Sequence, residues 1–235
     1  MSGNRPGRGL VWALVGAAVL IVALAAVILP ALLGRPEARP TASQGATQNT
    51  PDGPTSAAAA VVDPSVTRYG WVPEPVTRDR DVYVRAALAA ASTFDPSKST
   101  RDNFLAHLAT WFTPDTRRTN AADRERATQL YLGDLSRSVV LPQDQWDQMR
   151  SEQAAVTAKV DGPITHVAVS DDPGGMSIGT ANVILTYRHG DVTNTEHVRV
   201  SVQVLCGPGS VPAPDSPQQA GDCKVVRFFD SAVEE

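Results

Sequence analysis

Cysteine, lysine and histidine are scarce in this 235-residue chain, and the familiar reactive motifs are missing. There is no Gly-x-Ser-x-Gly, no phosphate-binding loop and no His-Glu-x-x-His. Those motifs place a nucleophile, a phosphate cradle or a zinc pair, so their absence removes the commonest hydrolase, nucleotide and metalloprotease signatures. Two cysteines alone lack the further ligands that zinc requires. His107, His166, His189 and His197 fall at no metal-ligand spacing. No catalytic residue, cofactor or metal is therefore expected. Positive charge is also short. The chain carries −4 overall, and from Asp63 onward 23 acidic and 17 basic residues leave −6. Phosphate backbones need a cationic surface, so direct nucleic-acid binding is not expected.

What is present begins with an uncharged run, Gly9 to Gly34, between Arg8 and Arg35. About 20 apolar helical residues cross the hydrocarbon core of a bilayer. The run exceeds the roughly 7–15 apolar residues of a signal peptide, and no clean Ala-x-Ala site follows Leu33. Residues 9–34 thus read as an uncleaved transmembrane helix in contact with lipid, with Trp12 near one interface. Arg5, Arg8 and the α-amino group precede the span; Arg35, Glu37 and Arg39 follow it. That balance leans toward a short cytoplasmic tail, 1–8, and a cell-membrane protein whose bulk is extracytoplasmic. Residues 35–68, rich in Pro, Ala, Ser and Thr, read as a flexible linker. A coil of that length spans roughly 30 Å. Residues 69–235 remain for one domain, with folding expected to begin near Tyr69–Trp71.

The first part of that domain has helical periodicity. Residues 78–93 predict a helix capped by Thr77 or Asp79, with Asp81 and Arg85 paired at i,i+4. Ser99 and Asp102 have capping-box spacing. Phe104, Leu105, Leu108, Trp111 and Phe112 then share one helical face, with His107 opposite and solvated, until Thr113-Pro114. Asn120 caps a third helix through Leu135, striped by Ala127, Leu130, Tyr131 and Leu135. A short helical turn is expected at Gln145–Met149.

Near Ala154 the period changes to alternation. Ala155–Val160 and Ile164–Ser170 read as two strands about an Asp161-Gly162 turn, and Asp172-Pro173-Gly174-Gly175 as a reversal. Residues 179–189 form a long strand ending at His189-Gly190-Asp191. Residues 195–206 alternate Val198, Val200, Val202, Val204 and Cys206 with polar positions, the pattern of a half-buried strand. Cys223–Phe229 is the last strand. Helices first and strands after predict an α+β domain: about three helices on a curved antiparallel sheet of four to five strands.

An even cysteine count in an exported domain predicts a Cys206–Cys223 disulfide. It would close a Pro/Gly-rich loop with no capacity to pack, a constraint worth about 3 kcal/mol. Arg227 shares a face with Cys223, Val225 and Phe229, which requires a bulge or an edge position. The sharpest catalytic alternative makes His166 or Asp230 a proton-transfer base in a sheet-lined pocket. Glu196 and His197 are strand neighbours facing opposite sides and cannot pair directly. Asp171-Asp172 reads as turn chemistry.

The order of anchor, linker, helices and sheet resembles the membrane-anchored nuclear-transport-factor-like domains of bacterial cell envelopes. Its local support is the aromatic stretch Phe104–Phe112 ending at Thr113-Pro114, and the strand Thr195–Cys206. Two groups are similar: the periplasmic scaffold subunit of type IV secretion and conjugation systems, and membrane proteins associated with mammalian-cell-entry lipid transporters. The resemblance implies a cone-shaped, non-enzymatic scaffold or accessory subunit of a translocation complex. It also implies homo- or hetero-oligomers with other envelope-complex proteins, in a conjugative assembly ahead of a lipid transporter. The Cys206–Cys223 insertion departs from both groups.

Overall fold

The computed structural model describes residues 60–172 and 174–233. The expected span at 9–34 and most of the expected linker lie outside them. Among the described residues no helix is long and apolar enough to cross a membrane.

Ordered chain starts upstream of Tyr69. Val61 bridges Pro75, with Val62 N–H bonded to Glu74 O at 2.8 Å and Val76 N–H to Ala60 O at 2.8 Å. Between these lies a 3-10 helix, Pro64–Tyr69. Asp63 Oδ1 accepts from Ser65 N–H at 2.9 Å, proline opens the turn, and Gly70 ends it at φ 77°. That left-handed conformation is one that glycine adopts freely.

Four α-helices follow: α1 Arg80–Ala91, α2 Arg101–Ala109, α3 Ala121–Asp134 and α4 Gln143–Ser151. Asp79 caps α1 and Asn120 caps α3, each accepting an orphan amide of the first turn. At α2 the cap is Thr100, one residue beyond Ser99, its hydroxyl accepting from Asn103 N–H at 3.1 Å. Helix α2 also stops at Ala109, so Trp111 and Phe112 lie past its end, where Phe112 bridges Val225. The expected turn at Gln145–Met149 is the full helix α4. A π-helical segment, Leu135–Val139, extends α3. Leu130, assigned to the apolar stripe of α3, is 55% exposed, whereas Ala127 and Tyr131 are buried.

The sheet has four antiparallel strands in the order β1-β2-β3-β4: Ala155–Ala168, Met176–His189, Val192–Leu205 and Lys224–Phe228. The two strands expected around Asp161-Gly162 are a single one. Asp161 faces Asn182 and Thr165 faces Thr180, leaving Gly162, Pro163 and Ile164 opposite Ala181 alone. Gly162 takes φ 70°, and the bulge tolerates a proline that cannot donate to the ladder. On β4 a register shift places Val226 as an extra residue between the Val204–Val225 and Gln203–Arg227 pairs. It meets the parity problem posed by Arg227.

Both sheet faces are covered near β4, by different helices. The main core joins Tyr83, Val84 and Leu88 of α1 and Phe104 and Leu108 of α2 to Val183, Val202, Val204, Val225 and Phe228. Its aromatic centre stacks Phe94 on Trp146 at 5.0 Å, with Phe104 5.5 Å from Trp146 and Tyr83 5.8 Å from Trp111. A smaller core packs Ala127 and Tyr131 of α3 against Met176, Leu205 and Val226. Gly179 allows α1 to approach: a Cβ there would meet Val84 Cγ1 at 2.8 Å.

Candidate functional site

The residues singled out by sequence are dispersed. His166 lies on β1 with Nε2 2.6 Å from Asp81 Oδ1 of α1, at a seam where Asp81 is 58% exposed. Arg85 Nη2 donates to Gly162 O at 2.7 Å. The expected Asp81–Arg85 pair is thus replaced by two bonds that fasten α1 to β1. Asp230 lies after β4, exposed, and accepts from Ser231 Oγ at 3.2 Å. It is not brought near His166. Asp172 Oδ2 accepts from Met176 N–H at 2.7 Å and Asp171 has φ 59°, both features of a turn. Glu196 and His197 are exposed on β3, and Glu196 Oε2 accepts from Tyr187 Oη at 3.4 Å.

His107 corrects the sequence reading. It is partly buried, stacked on Trp71 at 4.8 Å, with Nε2 3.2 Å from Val72 O. Burial pulls its pKa down, against the opposing bond to Val72. The ring is a packing element that fixes the N-terminal arm to α2.

The densest polar cluster escaped the sequence reading. Lys224 Nζ is 2.9 Å from Glu74 Oε1 and donates to Thr110 O at 2.8 Å and Gln218 Oε1 at 3.3 Å. Tyr83 Oη donates to Glu74 Oε1 at 2.5 Å. Lys224 and Glu74 are 1% and 2% exposed. Burial pushes the Glu74 carboxyl up and the Lys224 amine down, in each case against the attraction of the partner. Burial and the Glu74 charge hold the Tyr83 phenol well above its ordinary value. The cluster ties the arm, α1, β4 and the loop before β4 at one point. Its signal in the sequence was a charge set in each of two apolar stretches, Glu74 in WVPEPV and Lys224 at the start of CKVV.

A disulfide joins Cys206 to Cys223. The loop it closes is packed after all, with Ser210, Gln218 and Asp222 buried. Ser210 Oγ accepts from Gly221 N–H at 3.0 Å, Asp222 Oδ2 from Gln219 N–H at 2.7 Å, and Thr113 Oγ1 from Val211 N–H at 2.9 Å. These polar side chains do what apolar ones could not in a Pro/Gly-rich segment. A second polar anchor is Asp115, held by Arg117 through bonds of 2.9 and 2.6 Å and by Tyr131 Oη at 3.3 Å. Burial would raise its carboxyl, but the Arg117 bonds outweigh that and hold it low.

Two small adjoining clefts open where β4 ends, each of about 80 Å³. Leu88, Val139, Val200 and Phe229 form apolar walls, and Asp134, Arg227 and Asp230 stand at the rim. Arg227 is paired with Asp134 at 3.0 Å and flanked by the rings of Tyr131 and Phe229. Among the described residues no group of three or more His, Cys, Asp or Glu is arranged to hold a metal.

No protein-family model matches the chain, and no curated protein matches it. Some solved structures align with part of it. An IcmL-like type IV secretion system protein from Legionella pneumophila aligns over 67% of this chain and 95% of its own, at 11% identity and TM-score 0.41. The periplasmic domain of DotI aligns over 62% and 87%, at 16% identity and TM-score 0.40. CagV, a VirB8 homolog of the type IV secretion system of Helicobacter pylori, aligns over 63% and 92%, at 8% identity and TM-score 0.35.

Proposed function

We propose that this chain is a non-enzymatic, membrane-anchored scaffold or accessory subunit of a cell-envelope translocation complex of the type IV secretion or conjugation kind. The observation that carries the reading is the filled interior between helices and sheet. Trp71, Phe94, Phe104, Trp111 and Trp146 are all packed into the one main core. The clefts of about 80 Å³ fall well below the roughly 300 Å³ of a small-molecule site. His166 and Asp230, the groups a proton-transfer site would use, lie apart.

The apolar run at 9–34 would anchor the domain, and the linker after it would let the domain reach partners at a distance. A disulfide suits an extracytoplasmic compartment. The test is purification of the detergent-solubilised complex under conditions that preserve membrane assemblies. Co-purification of a coupling ATPase is the expected result. A permease and a substrate-binding protein in its place would move the chain to lipid transport, and recovery of the chain alone would sink both scaffold readings.

A further inference from the structure

The sheet protects its outer edges unevenly. On β1, Phe94 exchanges two backbone bonds with Val156, Thr93 Oγ1 accepts from Ala158 N–H, and Arg85 covers Gly162 O. On β4, Trp111 and Thr113 exchange bonds with Val225, and Thr77 O accepts from Cys223 N–H. Strand β4 pairs only with Val202–Leu205, and Phe229 N–H adds a bond to Ser201 O. Farther out, from His197 back to Val192, every residue of β3 is exposed.

The orientation of its backbone groups follows from two bonds. Cys206 N–H points to β2, at Gly175 O, while Ser201 O points to the β4 side. Alternate residues of a strand turn both backbone groups the same way. Thr193, Thr195 and His197 therefore present N–H and C=O outward, and among the described residues no strand meets them. Neither a proline nor a bulge, two of the usual protections of an edge, blunts this stretch, and Glu196 is its one formal charge.

We propose that this outer edge of β3 accepts an added β-strand from a partner protein, running on from the position of β4. The partner's segment is extended, carries an aliphatic side chain toward the sheet face of Val198 and Val200, and has a basic residue beside Asp230. The aliphatic group enters the cleft walled by Leu88, Val139, Val200 and Phe229. The charge preference follows from the exposed Asp230 at the rim and the −6 balance from Asp63 onward. A second copy of β3 is a poor occupant. A twofold pairing keeps sheet faces matched, so registers reaching Val200 set Glu196 against its own copy, Val198 or Val200. Each is a like-charge or carboxylate-on-apolar pairing. The edge stands independently of which envelope assembly the chain serves.

The test uses the full chain in detergent and a synthetic peptide of alternating valine and threonine with lysine at both ends. Hydrogen exchange read by mass spectrometry should slow in the segment 193–197 when the peptide is added. A peptide N-methylated at alternate residues loses its ladder donors but keeps its side chains, and it should bind about tenfold more weakly or worse. His197→Pro, which removes one outward donor without touching the β2 ladder, should weaken the unmodified peptide by a similar factor. Equal protection by the N-methylated peptide would overturn the proposal, because recognition would then be apolar adhesion. Absence of protection would overturn it too. Protection that grows with protein concentration without peptide would identify a second copy as the occupant and overturn the choice of partner.

Discussion

Strand β3 contains two regions that differ in both pattern and environment: valines alternate from Val198 to Val204, whereas Val192–His197 is polar after its first residue. From Ser201 to Leu205 every residue is buried; from Val192 to His197 every residue is exposed. The buried stretch, the root of the strand, joins the main core of α1 and α2 and the smaller core of α3, while no residue of Val192–His197 belongs to either core. A valine-polar alternation fixes which side chains share a face, not whether either face is covered. Ser201 and Gln203 show this directly. Both read as solvent-facing in sequence, and both are buried, with Ser201 Oγ 2.6 Å from Thr180 Oγ1 and accepting from Val233 N–H at 2.8 Å.

The sharpest break of this contrast is at the buried ion pair of the root. Lys224→Ala leaves Glu74 without its counter-ion in the interior and should cost about 3–5 kcal/mol in urea unfolding. The double variant Lys224→Met, Glu74→Leu should recover most of that loss. Equal instability of the single and double variants would show that packing, not the stranded charge, sets the cost. Next comes the disulfide. Converting both cysteines to serine should cost about 3 kcal/mol and speed exchange in the 207–222 loop. A loop that stays protected would mean its internal hydrogen bonds suffice.

Gly179→Ala should cost about 1–3 kcal/mol, because the added methyl meets Val84 at 2.8 Å and α1 must lift off the sheet. A melting temperature equal to that of the parent would show that the seam yields freely. The exposed part of β3 should be nearly silent: Thr195→Ala is expected to shift stability by no more than about 0.5 kcal/mol. Tyr187 is the sensitive probe there. Burial and then the Glu196 charge push its phenol from 10.0 to about 12. A raised pKa favours the neutral phenol in the fold, so its contribution is complete below the ordinary value and fades as pH rises toward about 12. Ultraviolet titration should show a late phenol that moves down in Glu196→Gln; an unchanged titration would remove the carboxylate from its cause.

The fold class was legible because period is a local property. Helical spacing before Ala154 and alternation after it set helices ahead of strands, and Asp79 and Asn120 marked helix starts by their own side chains. The errors fell where tertiary contacts decide. Asp161-Gly162 has turn composition, yet β2 runs past it and converts the turn into a bulge. His107 looked solvated because Trp71, which covers it, lies on a distant arm. Leu130 fits the stripe of α3, but the smaller core takes in Ala127 and Tyr131 and leaves Leu130 exposed. The Glu74–Lys224 pair spans 150 residues, a separation no local pattern can report.

The sequence by itself determined the order of helices before strands, the alternation of β3, the caps Asp79 and Asn120 and the apolar run at 9–34, since each depends on neighbours within a few residues. Only the tertiary structure decided which faces are covered, that the Pro/Gly loop packs through polar side chains, and that Lys224 meets Glu74 inside. It also decided that β4 ends early and leaves the edge of β3 open. These properties belong to pairs of distant segments, where burial and desolvation depend on what the rest of the chain brings into contact.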